Sequence, residues 1–554
     1  MTVEHLDRHC ALPPTTGPLV LVILDGVGFG TQDGGDAVHL AHKPNLDALW
    51  HGSPTRTLRA HGTAVGLPSD ADMGNSEVGH NALGAGRVFE QGAALVNQAI
   101  ASGRLFATDT WHWLVDPLRD GGTLHLCGLL SDGNVHAHID HVHALVRRAA
   151  ADGVRRLRIH ALADGRDVQD PSFERYLEQL DATLAEAAAL GCDARVASGG
   201  GRMAITMDRY EADWPMVERG WSLHVHGQGE RFASVQTALQ ALRARQGGQS
   251  DQTLGGFVVA DERGPIGPVQ DGDAFILWNF RGDRAIELSK AFDEGDAFAG
   301  FDRATRPQVR YAGMMQYDGD LHLPARFLVE PPAIDRTLGE FLAALELRSF
   351  AVSETQKYGH VTYFWNGNKS GVLSPALERY AEVPSDRVSF DRAPEMKARE
   401  ITDLVLAALQ ERPAFQFLRC NLANGDMVGH TGDLAATVRA IETVDVQVGR
   451  LRDAVLAAGG ILVVTADHGN ADDMWMRDGK GRPLLRSDGS VQPKTSHTLA
   501  PVPISIRDAR TATPWRLRSD LPDAGLANVA ATVLNLLGYQ APGDYAASLI
   551  EPAP

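Results

Sequence analysis

Apolar runs punctuate this chain, and most of them end in a short polar stretch. Leu19–Leu24 contains no polar side chain, the pattern of a strand buried on both faces, and it stops at Asp25–Gly26–Val27–Gly28–Phe29–Gly30. From Asn81 to about Ala101 the pattern is helical. Thr123–Leu130, Leu157–Ala161, Arg195–Ala197 and Ala274–Trp278 read as strands, and Phe173–Leu190, rich in Ala, Leu and Glu, reads as a helix among them. Two apolar runs, Phe350–Ser353 and Val361–Phe364, flank Lys357, and Ala414–Leu422 is a further strand. Val438, Ile441, Val444, Val448, Leu451 and Val455 recur at steps of three and four, an amphipathic helix that Gly459–Gly460 ends. Ile461–Thr465 is another buried strand, a polar excursion runs from Arg477 to Gln492, and a helix over about Gly525–Leu537 covers a sheet face. Alternating strands and helices of this kind make an α/β protein.

The polar stretches are alike in composition. Ser131–Asp132–Gly133–Asn134–Val135–His136, Ala163–Asp164–Gly165–Arg166–Asp167, Gly199–Gly200–Gly201–Arg202 and Asn279–Phe280–Arg281–Gly282–Asp283–Arg284 each follow a strand of the middle third. Open α/β sheets bind ligands at the carboxyl ends of their strands, so four such ends predict one polar pocket. Any single Asp-Gly pair is also an ordinary turn.

Length and charge narrow the reading. A chain of 554 residues exceeds one hydrophobic core, so two or three domains are expected. A net charge of −18 disfavours nucleic acid and anionic membrane as partners and leaves a small anionic substrate where Arg and Lys gather. No apolar run reaches membrane-spanning length. Met1 to Pro18 lacks the order of a signal peptide and reads as a short disordered lead-in. Cys10, Cys127, Cys192 and Cys420 form no CxxC pair, which suits a reduced, cytoplasmic setting.

The candidate chemistry starts at Asp72–Met73–Gly74–Asn75–Ser76–Glu77–Val78–Gly79–His80–Asn81. Ser76 lies near a helix N-terminus, where free N–H groups favour an anion; an N-cap serine would read the same way. Asp426 and His430 are four apart and share one face of a helical turn, with His497 as a third ligand type, and Asp25, Asp467 and His468 make a second set. Mixed carboxylate and imidazole suits zinc or manganese better than calcium or magnesium. Two such ions about 4 Å apart hold a phosphoryl group and its nucleophile together. Arg166, Arg202, Arg209, Arg281, Arg284 and Lys357 fit an anionic substrate, and Asp167 is placed as a base toward a substrate hydroxyl. Of His136, His138, His141 and His143, only His136 is expected to be functional, the others being helix surface.

Taken together, LDGVGFG, SDADMGNSEVGHNALGAGR, LLSDGNVHAH, ADGRDV, NFRGDRA, ETQKYGHVTYFWNG, NLANGDMVGHTG, TADHGN and TSHTLAPVP, in this order from Leu21 to Pro503, closely resemble the cofactor-independent phosphoglycerate mutases. The resemblance implies an alkaline-phosphatase-like α/β metal domain in two segments, 13–90 and 325–554, with an inserted α/β phosphotransferase domain, 91–324, and hinges near 88–92 and 320–326. It implies interconversion of 3-phosphoglycerate and 2-phosphoglycerate by a cytoplasmic enzyme, expected to be a monomer. Carried over by position, Asp426, His430 and His497 would hold one manganese, and Asp25, Ser76, Asp467 and His468 the other, with other divalent transition metals as alternatives. Ser76 would become phosphoserine. His136, Arg166, Asp167, Arg202, Arg209, Arg281, Arg284 and Lys357 would bind substrate, and Asp167 would handle the glycerate hydroxyl proton. The inserted domain would close over the metals and exclude water.

Some positions depart from that pattern: Met203–Ala204 replace paired aromatics, Tyr210 replaces an acidic residue, and Gly282 stands where Pro or Ala is usual. The other readings weighed are a phosphatase or phosphodiesterase on the same metal domain, a phosphopentomutase, and a degenerate metal-binding protein. The arginine-bearing insert, the ADGRDV and NFRGDRA matches and the complete ligand set disfavour them in that order.

Overall fold

A computed structural model of the chain describes residues 3–553 apart from 68, 91, 209–212, 247–249, 297, 318–322, 331–333, 387 and 487–488. The chain divides into two compact units, Met1–Gln91 with Ala333–Pro554, and Gly92–Pro332.

Among the described residues, the first unit carries a seven-stranded sheet in the order Glu378–Val383, Ser349–Glu354, Phe417–Leu422, Leu19–Leu24, Ile461–Thr465, Val502–Asp508 and Thr55–Leu58. The first five are parallel, and Val502–Asp508 runs antiparallel to both of its neighbours, Ile461–Thr465 and Thr55–Leu58. Leu19–Leu24 lies in the middle of the sheet, between Phe417–Leu422 and Ile461–Thr465, with every residue buried. That explains its unbroken apolar sequence: helices cover both faces of a parallel sheet. The helix Leu434–Ala457 supplies Ile441, Val444, Val448, Leu451 and Val455 to the core, the stripe read from the sequence.

The second unit has its own core and a sheet in which Phe327–Val329, Arg310–Met315, Ala274–Leu277, Leu124–Leu129, Arg156–Ala163, Asp193–Gly201, Phe257–Asp261 and Glu230–Phe232 follow one another, with Gly264–Pro265 paired to Phe257–Asp261. The four strands from Ala274–Leu277 to Asp193–Gly201 are parallel neighbours. Their carboxyl ends therefore carry all four polar stretches of the middle third.

Three sequence expectations change. The segment 81–101 is two helices, Ser76–Ala85 and Gly92–Ala101. Gly86 ends the first at φ +65°, a conformation open to glycine at little cost. Residues 3–18 are packed rather than disordered: Leu6 and Leu12 are buried in the first core, and the His9 amide donates to the Gly538 carbonyl at 2.9 Å. His141 and His143 are buried helix positions, bonded to Asn97 (2.7 Å) and Thr183 (2.8 Å), while His138 caps the helix Ile139–Ala151. Their inward face was hidden by a spacing that mixes steps of two and three.

Candidate functional site

Three neighbouring parallel strands of the first unit release Asp426, Asp25 and Asp467 just past their carboxyl ends. All three carboxylates are buried. Close approach of the loops depends on glycine: Gly26 sits at φ +73°, and a Cβ there would lie 2.6 Å from the Asp426 amide nitrogen. Gly79 does the same for the helix Ser76–Ala85, whose backbone meets the Asp467 carbonyl where a Cβ would be 2.7 Å away.

The cap of that helix is Asn75, not Ser76. Asn75 Oδ1 accepts from the Glu77 and Val78 amides at 3.0 and 3.2 Å. Ser76 is the first helical residue, and its hydroxyl is turned into the carboxylate cluster, 2.9 Å from His468 Nε2 and 3.3 Å from Asp25 Oδ1. Lys357 Nζ also donates to Ser76 Oγ, and lies 2.9 Å from Asp25 Oδ1 and 2.8 Å from Asp426 Oδ2. Burial opposes the Lys357 charge, but Asp25, Asp426 and Asp467 raise its pKa and keep it protonated. Lys357, expected among the substrate-binding residues, thus stands beside the candidate nucleophile.

The histidines have a common polarity. His430 Nδ1 meets the Thr495 carbonyl at 2.6 Å, and His497 Nδ1 meets the Gly74 carbonyl at 2.7 Å. A carbonyl only accepts, so each Nδ1 carries the proton. Both Nε2 lone pairs then face inward, 3.0 Å from each other and each 3.1 Å from Asp426 Oδ1. His468 repeats the arrangement, with Nδ1 on the Gly469 carbonyl at 3.2 Å. Imidazole nitrogens converging on one carboxylate fit a cation, which would take the place of any proton on Nε2, and ligating histidines characteristically give their other N–H to a carbonyl or carboxylate. Asp426, His468 and His497, and Asp25, Asp467 and His468, form two groups whose ligand atoms lie within 4.8 Å of one another. The donor set fits a divalent transition metal. Without such a charge, burial is outweighed at His468 by Asp467, Asp25 and Asp426, which lift it to about 9, whereas burial and the charge on His468 push His497 down to about 3.

Several supporting residues escaped the sequence reading. Asn421 Nδ2 donates to Asp25 Oδ2 at 2.7 Å, and Asn470 Nδ2 to Asp426 Oδ1 at 2.9 Å. His80 Nδ1 reaches the Ser76 carbonyl at 2.8 Å and Asp467 Oδ2 at 3.3 Å. All three were visible as polar residues inside the quoted motifs, four positions from Ser76 in the case of His80.

In the second unit the strand ends gather the predicted cations with matching carboxylates. Asp164 Oδ1 accepts from Arg202 Nη1 at 2.7 Å and from the amides of Arg166 (3.1 Å) and Asp167 (3.0 Å). Arg202 also pairs with Asp167. His136 Nδ1 and Arg281 Nε meet Asp283 Oδ1 at 3.3 and 3.2 Å, and Arg284 Nη1 donates to the Met207 carbonyl at 2.6 Å. Burial raises the pKa of Asp167, but Arg202, His136 and Arg166 hold it below the ordinary carboxylate range, so it is ionised at neutral pH. Burial pushes His136 down to about 3 against the pull of Asp283. Arg209 and Tyr210 lie outside the described residues.

An α/β chain with carboxylate and imidazole ligands at its strand ends matches the family model of the metalloenzyme superfamily over residues 17–541. Within it the chain belongs to the 2,3-bisphosphoglycerate-independent phosphoglycerate mutase family. It is 53% identical over 551 residues to the protein of that name from Trypanosoma brucei brucei, covering 99% of each chain, and 51% identical to that from Zea mays, covering 99% of this chain and 98% of the other. A crystal structure of Leishmania mexicana phosphoglycerate mutase at low cobalt concentration superposes with a TM-score of 0.91 at 50% identity, covering 99% of this chain and 100% of that one. No described helix is long and apolar enough to cross a membrane.

Proposed function

We propose that this chain interconverts 3-phosphoglycerate and 2-phosphoglycerate without added 2,3-bisphosphoglycerate, through a phosphoserine on Ser76. The observation that carries the reading is the Ser76 hydroxyl, relieved of capping by Asn75 and shared by His468 and Lys357. Asp426, His430 and His497 would hold one divalent ion and Asp25, Asp467 and His468, with Ser76, a second; manganese is the proposed metal. Such ions supply Lewis acidity at phosphoryl oxygens and lower the pKa of a bound hydroxyl.

The chain's own residues do the rest. Ser76 Oγ attacks phosphorus and gives up its proton, the bond to the glycerate oxygen breaks as Ser76 is esterified, and the departing oxygen takes up one proton to become the glycerate hydroxyl. Lys357 faces the phosphoryl oxygens with a fixed positive charge, and the helix N-terminus behind Ser76 favours the anion. Asp167 starts as a carboxylate and exchanges the proton of the glycerate hydroxyl that next attacks phosphoserine. Arg166, Arg202, Arg281, Arg284 and His136, together with Arg209, retain the glycerate between the two transfers. Loss of that intermediate to water would make the protein a phosphatase. The reading places the enzyme in the cytoplasm, in keeping with four free cysteines.

The test is incubation with 3-phosphoglycerate and manganese in the absence of bisphosphoglycerate. 2-Phosphoglycerate is followed through coupled enolase and inorganic phosphate separately. Isomerisation with little phosphate is the expected result; phosphate release without isomerisation overturns the proposal.

A further inference from the structure

A second set of buried Asp, His, Ser and Thr side chains lies in the core of the second unit, outside the residues given a role above. His125, His160 and His224 are fully buried, and Ser198, Thr206 and Asp273 nearly so. They form one line. His125 Nε2 lies 3.3 Å from Asp273 Oδ2, and His125 Nδ1 3.0 Å from His160 Nε2. His160 Nδ1 is 2.7 Å from Ser198 Oγ, which is 2.7 Å from His224 Nδ1. His224 Nε2 is 2.9 Å from Thr206 Oγ1.

The line exists because of an irregularity in the sheet. Arg156–Ala163 and Asp193–Gly201 pair in regular register up to Ile159 and Val196, and then His160 pairs with Ser198 rather than Ala197. One extra residue in a strand flips every later side chain to the other face. The bulge at Ala197 therefore brings Ser198 level with His160. Phe275 stacks over the His125 and His160 rings, with centroids 6.0 and 5.8 Å away.

Asp273 sets the direction. Its oxygens already accept from the amides of Thr123 (2.7 Å) and Gln270 (2.8 Å), and burial of its carboxylate is outweighed by His125 and these amides, which keep its pKa low. A carboxylate only accepts, so His125 Nε2 carries a proton. Each later link follows: His160 Nε2–H donates to His125, Ser198 O–H to His160, His224 Nδ1–H to Ser198 and Thr206 O–H to His224. All three imidazoles are neutral, and every nitrogen is matched.

The far end is a backbone device. Thr206 sits at φ +69°, which is unfavourable for a β-branched residue, and its amide donates to the Met216 carbonyl at 3.0 Å. The next residue, Met207, offers the carbonyl that receives Arg284. Arg202 opens the same loop.

We infer that the line from Asp273 to Thr206 is a positioning element that holds the loop 203–208 in its strained conformation and thereby orients Arg284. Its consequence for substrate rests on the proposed mutase reading; its hold on the loop does not.

The test compares full-length wild type, Thr206→Val, Thr206→Ser and Ser198→Ala, all saturated with manganese. Hydrogen exchange of peptides spanning 203–208 reports the loop irrespective of activity, and KM and kcat for 3-phosphoglycerate report the substrate. Thr206→Val keeps the side-chain shape but removes the hydroxyl, and Ser198→Ala cuts the line at its centre. Each is expected to speed loop exchange and to raise KM by about fivefold, the effect of one lost hydrogen bond, with a smaller change in kcat. Thr206→Ser is expected to restore both values. Retained protection of Leu124–Leu129 separates loosening from unfolding, and if one of the two cutting variants unfolds the other carries the test. Unchanged loop exchange overturns the positioning role. Faster exchange with unchanged KM overturns the link to substrate. A wild type that leaves 3-phosphoglycerate unconverted overturns the mutase reading, and loop exchange then judges the line by itself.

Discussion

The two units bury the same kinds of side chain and use them in opposite ways. In the first, the Nε2 lone pairs of His430 and His497 face each other 3.0 Å apart over Asp426, because both Nδ1 protons are committed to carbonyls. In the second, His125, His160 and His224 lie in a line where each nitrogen meets a partner of the opposite kind. The first arrangement calls for a cation. The second is complete as it stands. Direction of donation, more than residue type or burial, separates a metal site from a hydrogen-bonded core.

The strongest way to break this comparison is at the nucleophile. Ser76→Ala is expected to lower turnover about 10⁴-fold or more, while calorimetry shows metal binding largely kept through Asp25, Asp426, Asp467 and the histidines. An active Ser76→Ala protein would refute the phosphoserine. Chelation comes next. Removing the metal should destabilise the first unit by about 3–4 kcal/mol relative to protein in a large excess of ion, seen as faster hydrogen exchange around 424–430 and 465–470, and leave exchange of the histidine line unchanged. Equal loosening of both regions would erase the distinction. Asn421→Ala, which unties Asp25, is expected to weaken metal affinity about 10–100-fold in a titration, with the line again unaffected.

A further test is in acid. Burial lowers the pKa of His125 and His160 and brings His224 to about 3. The unfolded chain takes up protons on these groups from about pH 6.5 downward, whereas the folded line stays neutral. Stability of the second unit is therefore full above that range and falls as pH drops toward the folded values, by up to about 1.4 kcal/mol per pH unit for each histidine. Urea unfolding followed by exchange of second-unit peptides at pH 5 and 7 measures it. A stability independent of pH over that interval would mean that the line carries a proton when folded.

Much of the scaffold was legible because it is local. Unbroken apolar runs such as Leu19–Leu24 and Ile461–Thr465 are buried strands, and polar stretches after strands lie at carboxyl ends wherever the sheet is parallel. The ligand types could be listed from the motifs for the same reason. The histidine spacing at 136–143 misled, since His141 and His143 pack inward against partners 44 and 40 residues away. The lead-in was misread because its anchors, Gly538 and Tyr539, lie at the far end of the chain.

By itself the sequence determined where most strands and helices fall, which loops carry Asp, His, Arg and Ser, and that more than one core is needed, since period and composition act over a few residues. Only the tertiary structure decided that Asn75 rather than Ser76 caps the helix, because both side chains accept hydrogen bonds and the choice depends on which one the carboxylate cluster engages. It alone decided that Ser198 faces His160, because one unpaired residue in a strand pairing resets every side chain beyond it. And it alone gave each imidazole its direction, through carbonyls and carboxylates that the chain brings in from distant segments.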